Sequence, residues 1–206
     1  MSEPWDSLFE SGWGSRWPPE YIVRWIMRRF GDVLDRRTIY IRDMGCGIGG
    51  ILWFLAREGF NTGGCDGSPI AVKAARQMLI QDGLHAHVNH ADLDALPWAD
   101  GSADAVIDNL AMTHNSPEVC SAIIAEVHRV LRPGGRFFSA VFRVGTTAQT
   151  VLEKQPVQIF DFITLYDLFH DSPFRISAMF VKMAAGKVST QQRLPMSCCP
   201  CIAQRH

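Results

Sequence analysis

An open, doubly wound α/β sheet is the fold class that this sequence predicts, and three observations predict it. Short apolar runs rich in β-formers alternate five times with stretches of helical periodicity. The first run opens directly into a glycine-rich loop and then a helix. The fifth, Arg136 to Phe142, is nearly all apolar, as suits a strand covered on both faces.

Residues 1–19 carry Trp5, Phe9, Trp13 and Trp17 in a Gly/Ser/Pro setting, too aromatic for a linker. They are expected to pack onto the domain or over its ligand. Pro18 and Pro19 start a helix in which Tyr21, Ile22, Trp25, Ile26 and Phe30 share a face. The interleaved arginines 24, 28, 29, 36 and 37 read as a solvated face. Ile39 to Ile41 is the first strand, followed by Asp43 and glycines at 45, 47, 49 and 50. Glycine in such a loop takes positive φ and lets a ligand approach the backbone. Ile51, Leu52, Leu55 and Ala56 form one helical face, and Gly59 ends that helix.

Asn61 to Cys65 is a second strand tipped by Asp66 and Gly67, with Ser68 as N-cap and Pro69 at the first helical position. Asp66 lies 17 residues past Gly49, where an acid can accept from both ribose hydroxyls of an adenosine. A third strand runs from His85 to His90. Alternation puts His85 and His87 on one face and His90 on the other, so no metal site is read there. Asp92, at the end of that strand, can accept from an adenine amine. Asp104 to Leu110 is the fourth strand. Ser116 caps the next helix, with Pro117 at N1 and Glu118 complementing the dipole. Pro133, Gly134 and Gly135 stop it before the fifth strand. Beyond it, Asp161 to His170 reads as a short helix and Arg175 to Met183 as a strand. Residues 196–203 read as a last strand despite Pro200.

Two cofactor classes fit the glycine spacing. Gly45, Gly47 and Gly50 match the dinucleotide pattern G-x-G-x-x-G. Gly45, Gly47 and Gly49 match the G-x-G-x-G of enzymes that use S-adenosylmethionine. Asp43 separates the two, because a carboxylate there repels a pyrophosphate but attracts a sulfonium and an ammonium.

The segments IRDMGCGIGG, GCDGSP, HADLDALPWADGSADAVID and EVHRVLRPGGRFF, in that order, resemble the class I S-adenosylmethionine-dependent methyltransferases, in particular the type 11 branch. The resemblance covers residues 38–142. It implies a Rossmann-like, mostly parallel seven-stranded sheet, the seventh strand inserted between the fifth and sixth, with a short N-terminal helical cap. It implies one domain: cap 1–37, cofactor-binding core 38–142 and substrate-side part 143–206. It places Asp43, Gly45, Cys46, Gly47 and Gly49 around the methionine part and Asp66 on the ribose. Gly67 and Ser68 flank the adenosine, Asp92 and Leu93 hold the adenine, and Asn109 faces the methionine end. Trp13 and Arg16 are lid residues by the same resemblance.

A net charge of −1 gives no basic field for nucleic acid, and no apolar run of membrane-spanning length is present. The acidic, aromatic N-terminus is not a secretory signal. Six cysteines at irregular spacing suit a reducing, cytoplasmic setting and make neither a disulfide framework nor a metal site. The expected activity is methyl transfer to a small-molecule or sugar-type acceptor, at oxygen. The base is His114 in the loop after strand four, with His170 as a weaker candidate. Capping of Ser116 is an equally good reading of His114. The alternatives are a nicotinamide-dependent oxidoreductase and a non-catalytic protein that binds S-adenosylmethionine. The first lacks a Tyr-x-x-x-Lys pair near Tyr166.

Overall fold

The computed structural model describes residues 3–141, 174–178 and 201–205. Helices α1 (Glu3–Glu10) and α2 (Glu20–Phe30) precede the first strand, β1 (Tyr40–Met44). There follow α3 (Gly50–Arg57), β2 (Asn61–Asp66), α4 (Pro69–Gln81), β3 (His87–His90) and β4 (Ala103–Asn109). The series continues with α5 (Pro117–Val130) and β5 (Leu131–Ala140). Five parallel strands run in the order β3-β2-β1-β4-β5. The order reverses between β1 and β4, and ligands of open α/β sheets bind at the carboxyl ends of strands beside such a switch. Two five-residue segments, β6 (Phe174–Ala178) and β7 (Cys201–Arg205), continue the sheet antiparallel, with β7 between β5 and β6. β7 starts at Cys201, and residues 179–183 and 196–200 of the two strands expected there, Pro200 included, lie outside the described residues. The helix expected at 161–170 lies outside the described residues.

Both sheet faces are covered. On one, Ile41, Ala105, Ile107, Phe138 and Ala140 pack against Ile22, Trp25 and Ile26 of α2 and Ile51 and Leu55 of α3. α4 lies beside α3, with Val72, Ala75 and Leu79 against Leu52, Trp53 and Val88. On the other face, Met44, Val106 and Phe137 meet Ile123, Ile124, Val127 and Val130 of α5. The helix starts follow the sequence: the Ser68 hydroxyl accepts from Ala71 N–H at 3.2 Å, and Ser116 accepts from Val119 N–H at 3.4 Å.

Three elements differ from the sequence reading. The segment with the N-terminal aromatics is partly helical, as α1. β1 runs through Asp43 to Met44 instead of ending at Ile41, because Asp43 and Met44 pair with Gly64 and Cys65 of β2. β5 starts at Leu131. That residue pairs with Ala103, and the chain bulges through Pro133 to Gly135 before a regular ladder resumes at Arg136.

The end of β4 is fixed by Asp108, which is fully buried. Its Oδ1 accepts from Ala111 N–H at 2.8 Å and Met112 N–H at 3.2 Å, and its Oδ2 accepts from the Ser139 hydroxyl at 2.6 Å. One side chain thus ties the loop after β4 to β5. Burial pushes its carboxyl up to about 7, against the hydrogen bonds that favour the anion. The folded state therefore holds a proton at Asp108 that the unfolded chain releases near pH 4. The stability that Asp108 contributes is greatest at acidic pH and declines as pH rises through that window. Asp108→Ala strands two loop N–H groups and should cost about 2–4 kcal/mol in urea unfolding. Asp108→Asn should cost less and flatten the fall in stability between pH 4 and 7. Equal losses for the two variants would contradict this role.

Candidate active site

The carboxyl ends of β1, β2 and β4 bring three acids together. Asp43 is 1% exposed, and neither of its carboxylate oxygens has a hydrogen-bond partner among the described residues. Burial, then the charges of Asp66 and Asp108, hold its carboxyl well above the usual range. Asp66 ends β2. Its Oδ2 accepts from Gly47 N–H at 2.8 Å and its Oδ1 from Ser68 N–H at 2.9 Å. Burial raises its pKa, and those two bonds oppose the rise. A carboxylate oxygen carries two lone pairs, so each Asp66 oxygen keeps one for a ligand.

The glycine loop is shaped by its neighbours as well as by ligand access. A Cβ on Gly45 would lie 2.3 Å from the Ala111 Cβ, so the loops after β1 and β4 touch there. Gly49 is the N-cap of α3 at φ +89°, in the left-handed region. A Cβ on Gly50 would lie 2.4 Å from the Ser15 carbonyl oxygen and 3.0 Å from that of Arg16. Gly50, the third glycine of the dinucleotide pattern, therefore makes room for the chain's own N-terminal segment. Cys46 is buried, donates its N–H to Cys65 O at 2.9 Å, and has a thiol pushed far up by burial.

The remaining expected site residues fall into two groups. Gly67, Ser68, Asp92 and Asn109 sit at strand ends around the glycine loop. Asp92 Oδ1 is 4.0 Å from the Cβ position of Gly67, and Asn109 Oδ1 accepts from the Tyr21 hydroxyl at 2.6 Å. His114 follows β4 in a single 3-10 turn, its ring 4.5 Å from Trp5 and edge-on. The others have partners of their own. Leu93 packs against the α5 side of the core. The Arg16 guanidinium pairs with Asp82 at the end of α4 and lies over Trp53 and Trp17, on the flank of the sheet. Trp13 packs on Phe9 and Trp5. His170 is outside the described residues.

The sequence reading expected the N-terminal aromatics to pack onto the domain or over its ligand but did not read α1 as a helix there. Phe9 lies 3.6 Å from the Cβ position of Gly47, and Asp6 accepts from the Ser68 hydroxyl. The spacing of Trp5, Phe9 and Trp13, four residues apart, was the available helical signal. Tyr21 and Asp108 were read only as parts of a helix and a strand.

A doubly wound sheet with a glycine loop at its switch point, an acid under the loop and another at the next strand tip defines a domain that binds a nucleoside cofactor with cationic groups. Comparison with known proteins agrees. Residues 41–135 match the family described as Methyltransferase domain. The chain is 32% identical over 118 residues to the malonyl-[acyl-carrier protein] O-methyltransferase of Enterobacter lignolyticus, covering 53% of this chain and 43% of that one. It is 34% identical over 96 residues to the ribosomal RNA small subunit methyltransferase C of Alcanivorax borkumensis, covering 45% and 29%. A SAM-dependent methyltransferase structure from Methanosarcina mazei superposes with a TM-score of 0.63 at 22% identity, over 81% of this chain and 92% of that one. The match spans about half the length, or less, of the curated relatives. Residues 41–135, just under half of the chain, are thus similar to the S-adenosylmethionine-dependent methyltransferases, and the fold is theirs.

S-adenosylmethionine is the cofactor that these similarities imply, and the residues present fit it. Asp43 is a buried carboxylate with two unused oxygens, which a cationic ligand would satisfy. Asp66 has lone pairs left for two hydroxyls. Among the described residues no helix is long and apolar enough to cross a membrane.

The raised pKa of Asp43 has a consequence for binding. Below that pKa the free protein carries a proton there, and a cationic ligand favours the anion, so binding releases the proton. Affinity for S-adenosylhomocysteine, whose ammonium is cationic, should therefore rise with pH until Asp43 ionises in the free protein as well. Calorimetry in two buffers of different ionisation enthalpy should show net proton release. Asp43→Asn should bind more weakly and release no proton. Proton release undiminished in that variant would assign the effect to another group.

Proposed function

We propose that this chain transfers a methyl group from S-adenosylmethionine to an oxygen of a small-molecule or sugar-type acceptor. The observation that carries the reading is the buried, unbonded carboxylate of Asp43 beside the glycine loop, with Asp66 at the neighbouring strand tip. In this reading Asp43, Gly45, Cys46, Gly47 and Gly49 surround the methionine part. Asp66 holds the ribose, Gly67 and Ser68 the adenosine, Asp92 and Leu93 the adenine, and Asn109 the methionine end. Residues 1–206 form one methyltransferase domain, in which β6 and β7 complete a seven-stranded sheet and 143–206 serve the acceptor.

The cofactor supplies a methyl already activated by the sulfonium. The chain's part is to align an acceptor oxygen, exclude water and take up its proton. His114 is the group proposed to take the proton. It lies in the loop after β4, with Trp5 of α1 packed edge-on against it, so the acceptor side is roofed by an aromatic. Acceptance of a small molecule draws on the demethylmenaquinone methyltransferase of Thermus thermophilus, 31% identical over 116 residues, and on the chain's lack of net positive charge; transfer to oxygen draws on the O-methyltransferase of Enterobacter. Ser15 and Arg16 against Gly50 weigh against the oxidoreductase alternative, since that glycine is committed to the chain itself.

A thermal shift with S-adenosylmethionine, S-adenosylhomocysteine and NAD in parallel tests the reading. A ligand at 100 times its Kd stabilises by about 2.7 kcal/mol, which for this length raises Tm by roughly 5–10 °C. The two sulfur ligands should shift the melt and NAD should not. Asp66→Ala should abolish the shift. A response to NAD alone would overturn the reading.

A further inference from the structure

The Tyr21–Asn109 hydrogen bond joins residues 88 positions apart, and its surroundings are built to hold it. Tyr21 comes from α2, and its ring stacks on Phe138 of β5 at 6.1 Å and 12°. Burial, then the charge of Asp108, pushes the phenol up to about 12, so the hydroxyl stays neutral and donates. Its acceptor is Oδ1 of Asn109 at 2.6 Å. Asn109 is the last residue of β4. Met44 pairs with Asp108 one step earlier, which sets Asn109 abreast of Gly45 at the head of the glycine loop.

The next residue, Leu110, has φ +73°, the one non-glycine positive φ among the described residues. A left-handed leucine is disfavoured and persists only where its surroundings enforce it. Here Leu110 N–H is held by Ala140 O at 2.8 Å and the following two N–H groups by Asp108. The strained turn and the Tyr21 bond together fix the orientation of one amide.

With Oδ1 given to Tyr21, Asn109 has two Nδ2 donors to offer. The acids around it, Asp43, Asp66 and Asp108, supply no positive charge to an anion. A ligand bearing a carboxylate beside a cationic group then needs a neutral donor on the carboxylate side. We infer that Tyr21 is a positioning residue that locks Asn109 so that its amide N–H groups receive the amino-acid carboxylate of the cofactor, an inference that rests on the proposed function.

Isothermal titration with three ligands tests it: S-adenosylmethionine, S-adenosylhomocysteine and 5′-methylthioadenosine, which lacks the amino-acid end. Tyr21→Phe should weaken the first two by about three- to tenfold and leave the third unchanged, with little change in Tm. Asn109→Ala should show the same selectivity, and the double variant should add little to it. Equal weakening of all three ligands, or no weakening, would overturn the inference while the methyltransferase reading stands. A wild-type protein that binds none of the three would overturn both.

Discussion

Negative charge held out of water at the carboxyl ends of three neighbouring strands is the constraint on which the rest of the site depends. Asp43, Asp66 and Asp108 end or nearly end β1, β2 and β4, and each is at least nine-tenths buried. Like charges in a low-dielectric setting raise one another's pKa, and each must be offset by hydrogen bonds, protonation or a ligand. The three are offset differently. Asp108 is satisfied by the backbone of its own loop and by Ser139, and its role is to hold β4, its loop and β5 together. Asp66 is half satisfied, since it braces the glycine loop through Gly47 while keeping acceptor capacity. Asp43 has no hydrogen-bond partner among the described residues. The strand between the other two, β1, carries the acid left without a partner among the described residues.

The N-terminal segment completes the site from the other side. The Ser15 and Arg16 carbonyls lie over Gly50, and Arg16 is anchored on Asp82, which also accepts from the Trp53 indole. That anchorage sets α1 over the strand ends, with Asp6 on Ser68, Phe9 by Gly47 and Trp5 against His114. The aromatic residues at the start of the chain therefore shape the ligand site, whereas their partner residues belong to loops spread across the sheet.

Much of this was legible in the sequence. Strand tips with an acid, a glycine loop and Ser-Pro helix starts are local signals, and Asp43, Asp66 and both serine caps were read from them. The breadth of β1 was not, because Asp43 and Met44 join the ladder through pairing with β2, a non-local fact. Arg16 illustrates the same limit: its pairing with Asp82, 66 residues away, could not be read from its neighbours in the chain. Tyr21 was visible only as one more apolar position on a helix, and its hydroxyl gained a role from a strand end 88 residues distant.

A crystal structure of the complex with S-adenosylhomocysteine tests the central claim most directly. The account predicts both ribose hydroxyls on the Asp66 carboxylate and the ammonium on the Asp43 side of the glycine loop. A ligand bound elsewhere, or one in this cleft that leaves Asp43 without a partner, would contradict it.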